Sequence, residues 1–256
     1  MANNITADPN CISLWRFEED LFLADEMGNN DLTYSNPSWP PIKDTALYKE
    51  GDCSAKWTLG DEEAFVIDDG DLSAGFPLKD GGGQTTFSWV AWIYCDVGFA
   101  DHYLFGKMSL GGGVDTAFYI KYSSTTWAFS ASGNETSSGI SVAELTWQHV
   151  AVTYDGDTDQ LTIRVYNDDT KVTDSYQTTL SGGDVVVTGS EPWVVGAPNY
   201  NLDVWIDELA VFDDVLTPAE IDEIRAGTFG DGGGGGEEQT TGDGGGISTF
   251  FLGCPF

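Results

Sequence analysis

The 256-residue chain predicts an all-β fold, a sandwich or a barrel, on three observations. It carries 32 Gly and 13% aromatic residues, with few runs of helical period. Short stretches alternate apolar and polar side chains, the pattern of a strand with one buried face. Gly-rich turn signals such as Ser132-Gly-Asn, Asp155-Gly-Asp and Ser181-Gly-Gly separate those stretches. Many short strands joined in this way pack as two sheets or close on themselves.

Along the chain, the first strong strand is Phe87-Ser-Trp-Val-Ala-Trp-Ile-Tyr94. Residues 118–122 and 126–130 follow as alternating runs, 150–154 and 161–166 flank the Asp155-Gly-Asp turn, and 185–188 form a further short run. Trp193-Val-Val-Gly-Ala-Pro reads as a strand and a turn, and Asn201-Leu-Asp-Val-Trp-Ile-Asp-Glu-Leu-Ala-Val-Phe212 as an alternating strand. One short helix comes next. Thr217 is its N-cap, Pro218 occupies the first helical position, Glu220 completes a capping box, Ile221 and Ile224 form the apolar side, and Gly227 ends it.

Three of these segments carry a family resemblance. Phe87–Tyr94, the pair Trp147-Gln-His-Val-Ala-Val-Thr-Tyr-Asp-Gly156 and Gln160-Leu-Thr-Ile-Arg-Val-Tyr166, and Ile206-Asp-Glu-Leu-Ala-Val-Phe212 with the Leu-Thr-Pro-Ala-Glu-Ile helix stand in one order. They resemble the laminin G-like, concanavalin A-like lectin/glucanase jelly rolls over roughly residues 11–229. The resemblance implies a jelly-roll β-sandwich with one short C-terminal helix. It says less about function, because one fold hosts many functions. Trp89, Trp92, Trp147 and Trp205 lie inside the shared motifs and are expected to be structural; His149, in the same pattern, is expected to be packed near the core.

Charge narrows the partners. With 42 acidic residues against 10 Lys and Arg, the formal net charge is −32. Such a surface repels nucleic acid and anionic membranes, and no apolar run is long enough to span a bilayer. The N-terminus lacks the basic start and apolar core of a secretory signal; arrival in a virion or extracellular assembly without such a signal is expected. Cys11, Cys53, Cys95 and Cys254 show no metal-ligand spacing. Buried free thiols are expected, although Cys11 and Cys53 could approach each other in a jelly roll.

Enzymatic signatures are thin. Retaining glycosidases flank the scissile bond with two carboxyl groups about 5 Å apart. The best match to the catalytic strand of laminarinase-type relatives is Asp207-Glu208, and neighbours on a regular strand point to opposite faces. His102 is expected on a loop. There is no nucleophile elbow, His-Glu-x-x-His or Walker loop. A non-enzymatic protein is expected.

Two kinds of binding site remain. The loop Asp25-Glu-Met-Gly-Asn-Asn-Asp31 resembles one that shares a structural Ca²⁺ with the late Ile-Asp-Glu strand of laminin G-like relatives. Carried over, that names Asp25, Asn30 and Asp207 as ligands, oxygen donors suited to calcium; the alternative is an Asx-turn capping its own backbone. Jelly rolls of this kind are often carbohydrate-binding, with aromatic rings stacked on sugars. Trp39, Trp57, Tyr103, Tyr122, Trp127 and Tyr200 are the candidates for that role, and core packing is the competing role for each.

Three parts are expected: a jelly-roll domain (1–229), a Gly-rich linker (230–246) and an apolar terminal peptide (247–256). Ile247, Phe250, Phe251, Leu252 and Phe256 are the residues expected to dock on a partner subunit, by a mode such as strand addition. The openings Ile12-Ser-Leu-Trp-Arg-Phe-Glu18 and Lys49-Glu-Gly-Asp-Cys-Ser-Ala55 resemble stand-alone laminin G-like proteins of phage and prophage. The expected function is a structural or adhesive component of a virion or extracellular assembly displaying a lectin-like domain. The alternative is a free carbohydrate-binding module for a polysaccharide.

Overall fold

The computed structural model describes residues 3–58, 64–96, 102–110, 118–123, 125–196 and 204–230. The linker beyond Gly230 and the terminal peptide, with its five docking candidates, lie outside the described residues.

The strands are β1 (Cys11–Trp15), β2 (Thr33–Tyr34), β3 (Ile42–Asp44), β4 (Ser54–Trp57), β5 (Phe65–Ile67), β6 (Phe87–Cys95), β7 (His102–Lys107) and β8 (Phe118–Ser123). They continue with β9 (Thr126–Ala131), β10 (Asn134–Ser141), β11 (Trp147–Asp155), β12 (Gln160–Asn167), β13 (Val172–Thr179), β14 (Trp193–Val195) and β15 (Val204–Phe212), and α1 (Pro218–Ala226) follows. One sheet runs β13-β12-β11-β6-β15-β4-β3, with β1 also paired to β15; the other runs β10-β9-β8-β7-β14-β5-β2. The first is sheet one and the second sheet two. All these ladders are antiparallel.

Period-2 alternation explains the core. Leu161, Ile163 and Val165 of β12, and Trp193 and Val195 of β14, project between the sheets into one cluster with Trp15, Phe87 and Trp89. Trp89 meets Trp193 edge-on at 4.9 Å between centroids, and Phe87 stacks on Trp89 at 4.3 Å. A second cluster forms on the outer side of sheet one, where Val90, Ala151, Ala210 and Phe212 receive Ile221 and Ile224 of α1. The helix start matches its sequence signals. The Thr217 side chain accepts the Glu220 amide, the Glu220 carboxylate accepts the Thr217 amide, and Gly227 closes the helix at φ 70°.

The structure departs from the sequence reading in several elements. Residues 185–188 form no strand. His102 begins β7 and is buried, rather than lying on a loop. The polar strands β10 and β13 carry too few apolar side chains to register as half-buried strands. Cys11, Cys53 and Cys95 are free and buried, and burial raises Cys11 to about 12 and Cys53 to about 11; Cys254 lies outside the described residues.

Candidate functional site

Asp25, Asn30 and Asp207, the calcium candidates, are held in two hydrogen-bond networks. Asp25 is buried, and its Oδ1 accepts the amides of Leu14 (2.8 Å) and Met27 (3.1 Å). Its Oδ2 accepts those of Asn29 (3.3 Å) and Asn30 (3.0 Å). The Asn30 side chain accepts the Ser73 amide at 2.8 Å and donates to Ser13 Oγ at 2.7 Å. Asp207 belongs to a different network: Oδ2 accepts the amides of Lys49 (2.7 Å) and Glu50 (3.0 Å), and Oδ1 that of Glu208 (3.0 Å). Amide hydrogens aimed at a carboxylate do the work a cation would do. The residues as placed therefore do not fit a shared calcium shell. Asp25 and Asn30 instead tie their own loop to β1, the capping role that competes with metal binding.

The Asp207–Glu208 pair also departs from expectation. Against β6, Asp207 lies opposite Trp92 and Ala210 opposite Val90, so β15 carries an extra residue. Glu208 adopts φ 51°, and both Ile206 and Leu209 face the inter-sheet core. The pair therefore sits in a β-bulge, where strict alternation to opposite faces fails. The bulge has a local cause: β15 pairs with β4 through Val204–Ile206 and with β1 from Leu209 onward. At that change of partner the carboxyls supply the missing hydrogen bonds, Asp207 to the 49–50 turn and Glu208 to Arg16 at 2.5 Å. Burial pushes the Asp207 carboxyl well above the usual carboxylate range. It pushes Glu208 up to about 7, against the pull of Arg16.

The aromatic candidates separate by exposure. Trp57 and Trp127 are core residues at 1% and 0% exposure, which corrects their assignment as sugar platforms. Trp57 packs so tightly on Gly196 that a Cβ there would fall 2.1 Å from its Nε1. The Trp127 indole N–H donates to Gln148. Tyr103 is buried on the outer face of sheet two; it meets Tyr119 at 4.7 Å, with Lys121 over its ring at 5.2 Å. Glu135 accepts both the Tyr119 hydroxyl (2.8 Å) and Lys121 (2.7 Å). The Tyr122 side chain and Tyr200 lie outside the described residues.

Trp39 stands apart. It is 57% exposed, whereas the other eight tryptophans are no more than 8% exposed. Its loop joins β2 to β3, the outermost strands at one edge of the two sheets. Asn36 braces the loop: its carbonyl accepts the Trp39 amide at 3.1 Å and its Oδ1 the Ser38 amide at 3.0 Å. Pro37, Pro40 and Pro41 restrict the backbone around the ring. Ile42 and Tyr48, 46% and 42% exposed, extend the apolar surface of the same segment.

Trp92, Trp147 and Trp205 lie on the outer face of sheet one rather than between the sheets. Their ring faces are not free. Lys49 lies over Trp92 at 4.2 Å and Lys56 over Trp205 at 4.7 Å, and the Trp205 indole donates to Asp44 at 2.8 Å. His149 packs against Trp92 at 5.1 Å; burial, reinforced by Arg225, Arg164 and Lys49, lowers it to about 3 and keeps it neutral. These residues are structural, on a second surface.

Comparison with known proteins agrees with the topology. Residues 68–222 match the family model of the concanavalin A-like lectin/glucanases superfamily. The chain belongs to this superfamily. Among solved structures, it is similar to domain 4 of AbnA, a GH43 extracellular arabinanase from Geobacillus stearothermophilus solved with arabinotriose. The TM-score is 0.58 at 16% identity, covering 84% of this chain and 98% of that one. It is also similar to botulinum neurotoxin type C, in a structure concerned with ganglioside interaction (TM-score 0.61, 14% identity, 88% of this chain and 53% of that one). A Trypanosoma rangeli sialidase mutant displaying trans-sialidase activity gives 0.55 at 15% identity, over 83% and 32%. The superfamily member thus spans about half of the toxin chain and a third of the sialidase chain. At these identities the likeness concerns the fold. No curated protein matches.

Proposed function

We propose that this superfamily member is a non-catalytic glycan-binding domain in which Trp39 supplies the stacking ring. The observation that carries the reading is the contrast between the exposed Trp39 and eight buried tryptophans. A braced indole at a sheet edge presents a large apolar face at little entropic cost, which suits the apolar face of a sugar ring. The fold neighbours lend support: one is solved with arabinotriose and another concerns ganglioside recognition. The bulge supports the non-catalytic reading, because its two carboxyls are buried and committed to backbone amides and Arg16. A glycan array with the full chain and Trp39→Ala tests the proposal. Selective retention by the wild type and its loss in the variant are expected; equal retention by both sinks the role of Trp39.

The C-terminal sequence favours a further role as the display domain of a virion or extracellular assembly. A glycine linker followed by the apolar decapeptide 247–256 suits attachment to a partner subunit through Ile247, Phe250, Phe251, Leu252 and Phe256. Light scattering on the full chain and on a truncation ending at Phe229 tests this reading. Assembly of the full chain alone supports it, and two monomers contradict it.

A further inference from the structure

A cleft of about 380 Å³ opens where the first turn of α1 overhangs the outer faces of β11, β12 and β13. This size falls within the range of small-ligand pockets. Its floor follows from strand register. Leu161, Ile163 and Val165 face the core, so Thr162 and Arg164 face outward, and Thr153, Thr162 and Gln177 line up across three strands. Arg164 lies opposite Ser175, which is exposed. Val215, Pro218 and Ile221 form an apolar wall. The cleft therefore faces hydroxyl and carboxamide groups on one side and hydrocarbon on the other.

Charge decides what such a site takes. Arg164 Nη2 is already held by both Asp222 oxygens, each at 3.1 Å, and Arg225 shares that carboxylate at 3.4 Å. Its Nε is a buried donor without a hydrogen-bond partner among the described residues, a state that costs free energy. Asp155 adds a carboxylate to the lining, and the whole chain carries −32. An anionic ligand meets repulsion here, whereas a neutral polyol meets donors, acceptors and an apolar wall.

We infer that this cleft is a second saccharide subsite, specific for neutral sugars and separate from Trp39. Within sheet one, β13 and β3 are opposite edges, and Trp39 adjoins β3. One domain then presents two glycan contacts on opposite sides, an arrangement that raises avidity on a polysaccharide or a glycan-coated surface.

The test uses the full chain carrying Trp39→Ala, so that the first site cannot contribute. Backbone amide NMR would follow titration with cellobiose, lactose, maltose and mannobiose, with glucuronic acid as the charged counterpart. Saturable shifts confined to β11–β13 and the start of α1 are expected with at least one neutral disaccharide, with glucuronic acid weaker. Adding Ser175→Trp, an exposed change that fills the cleft, should weaken binding about tenfold or more. Thr162→Val removes one hydroxyl at nearly constant size and should weaken it by a smaller factor. Absence of shifts with every neutral disaccharide overturns the inference. So does preference for glucuronic acid, or binding indifferent to Ser175→Trp. The two sites fail separately: retention by Trp39→Ala that vanishes with Ser175→Trp removes the Trp39 reading and leaves the cleft standing.

Discussion

Trp39 and Trp57 are eighteen positions apart in the sequence and have opposite fates, one 57% exposed and the other 1%. Both occur in loop-like or alternating contexts, and composition alone does not separate them. What separates them is long-range: Trp57 is roofed by Gly196 and pressed edge-on against Phe65 at 5.4 Å. Trp57→Ala should therefore lose about 3–5 kcal/mol by denaturant unfolding, as large aromatic truncations in cores do. Trp39→Ala should leave the transition within about 0.5 kcal/mol of wild type. Asp25 allows an equally direct check. Its carboxylate accepts four backbone amides, so Asp25→Ala should cost about 3 kcal/mol through buried donors left unpaired. Calcium chelation of the wild type should leave its melting temperature unchanged; a fall on chelation, restored by calcium, would return this loop to metal binding.

At the scale of the element, β15 shows how far pattern reading reaches. Its alternation identifies a strand, and the capped helix after it was legible residue by residue because capping depends on near neighbours. The bulge was not legible, since it arises where β15 exchanges β4 for β1, two strands distant in sequence. The same reason hides the cleft: β13, with Thr173, Ser175, Gln177 and Thr179, shows no apolar alternation of its own and becomes a strand by pairing with β12. Its β-branched residues and tyrosine were the available signal. The bulge also sets a pH response. Glu208 is raised by burial from 4.5 to about 7 and Asp207 is raised as well. Between those values the folded state holds protons that the unfolded chain releases. The stability they contribute is complete below about pH 4.5 and is lost as pH rises through about 7. Melting temperature should fall between pH 5 and pH 8, and Glu208→Gln should flatten that slope. A melting temperature that rises over this interval would contradict the assignment.

For the whole molecule, the all-β class was predictable because aromatic alternation and Gly-rich turns recur along the chain, and the family resemblance implied the two-sheet sandwich, while the position of any ligand depends on which edges the topology leaves uncovered. The sheet order places β2 and β3 at one edge, so the loop joining them, with Trp39, lies at the rim of both sheets. That placement turns a fold shared by proteins of many functions into a specific expectation about one ring. The measurement that tests it most directly is binding of the full chain and of Trp39→Ala to a glycan array, followed by titration of the strongest ligand. Selective wild-type binding, weakened about tenfold or more in a Trp39→Ala protein of unchanged stability, is the expected result. Equal affinity of the two proteins, or no binding by the wild type to any glycan, would contradict glycan recognition through Trp39.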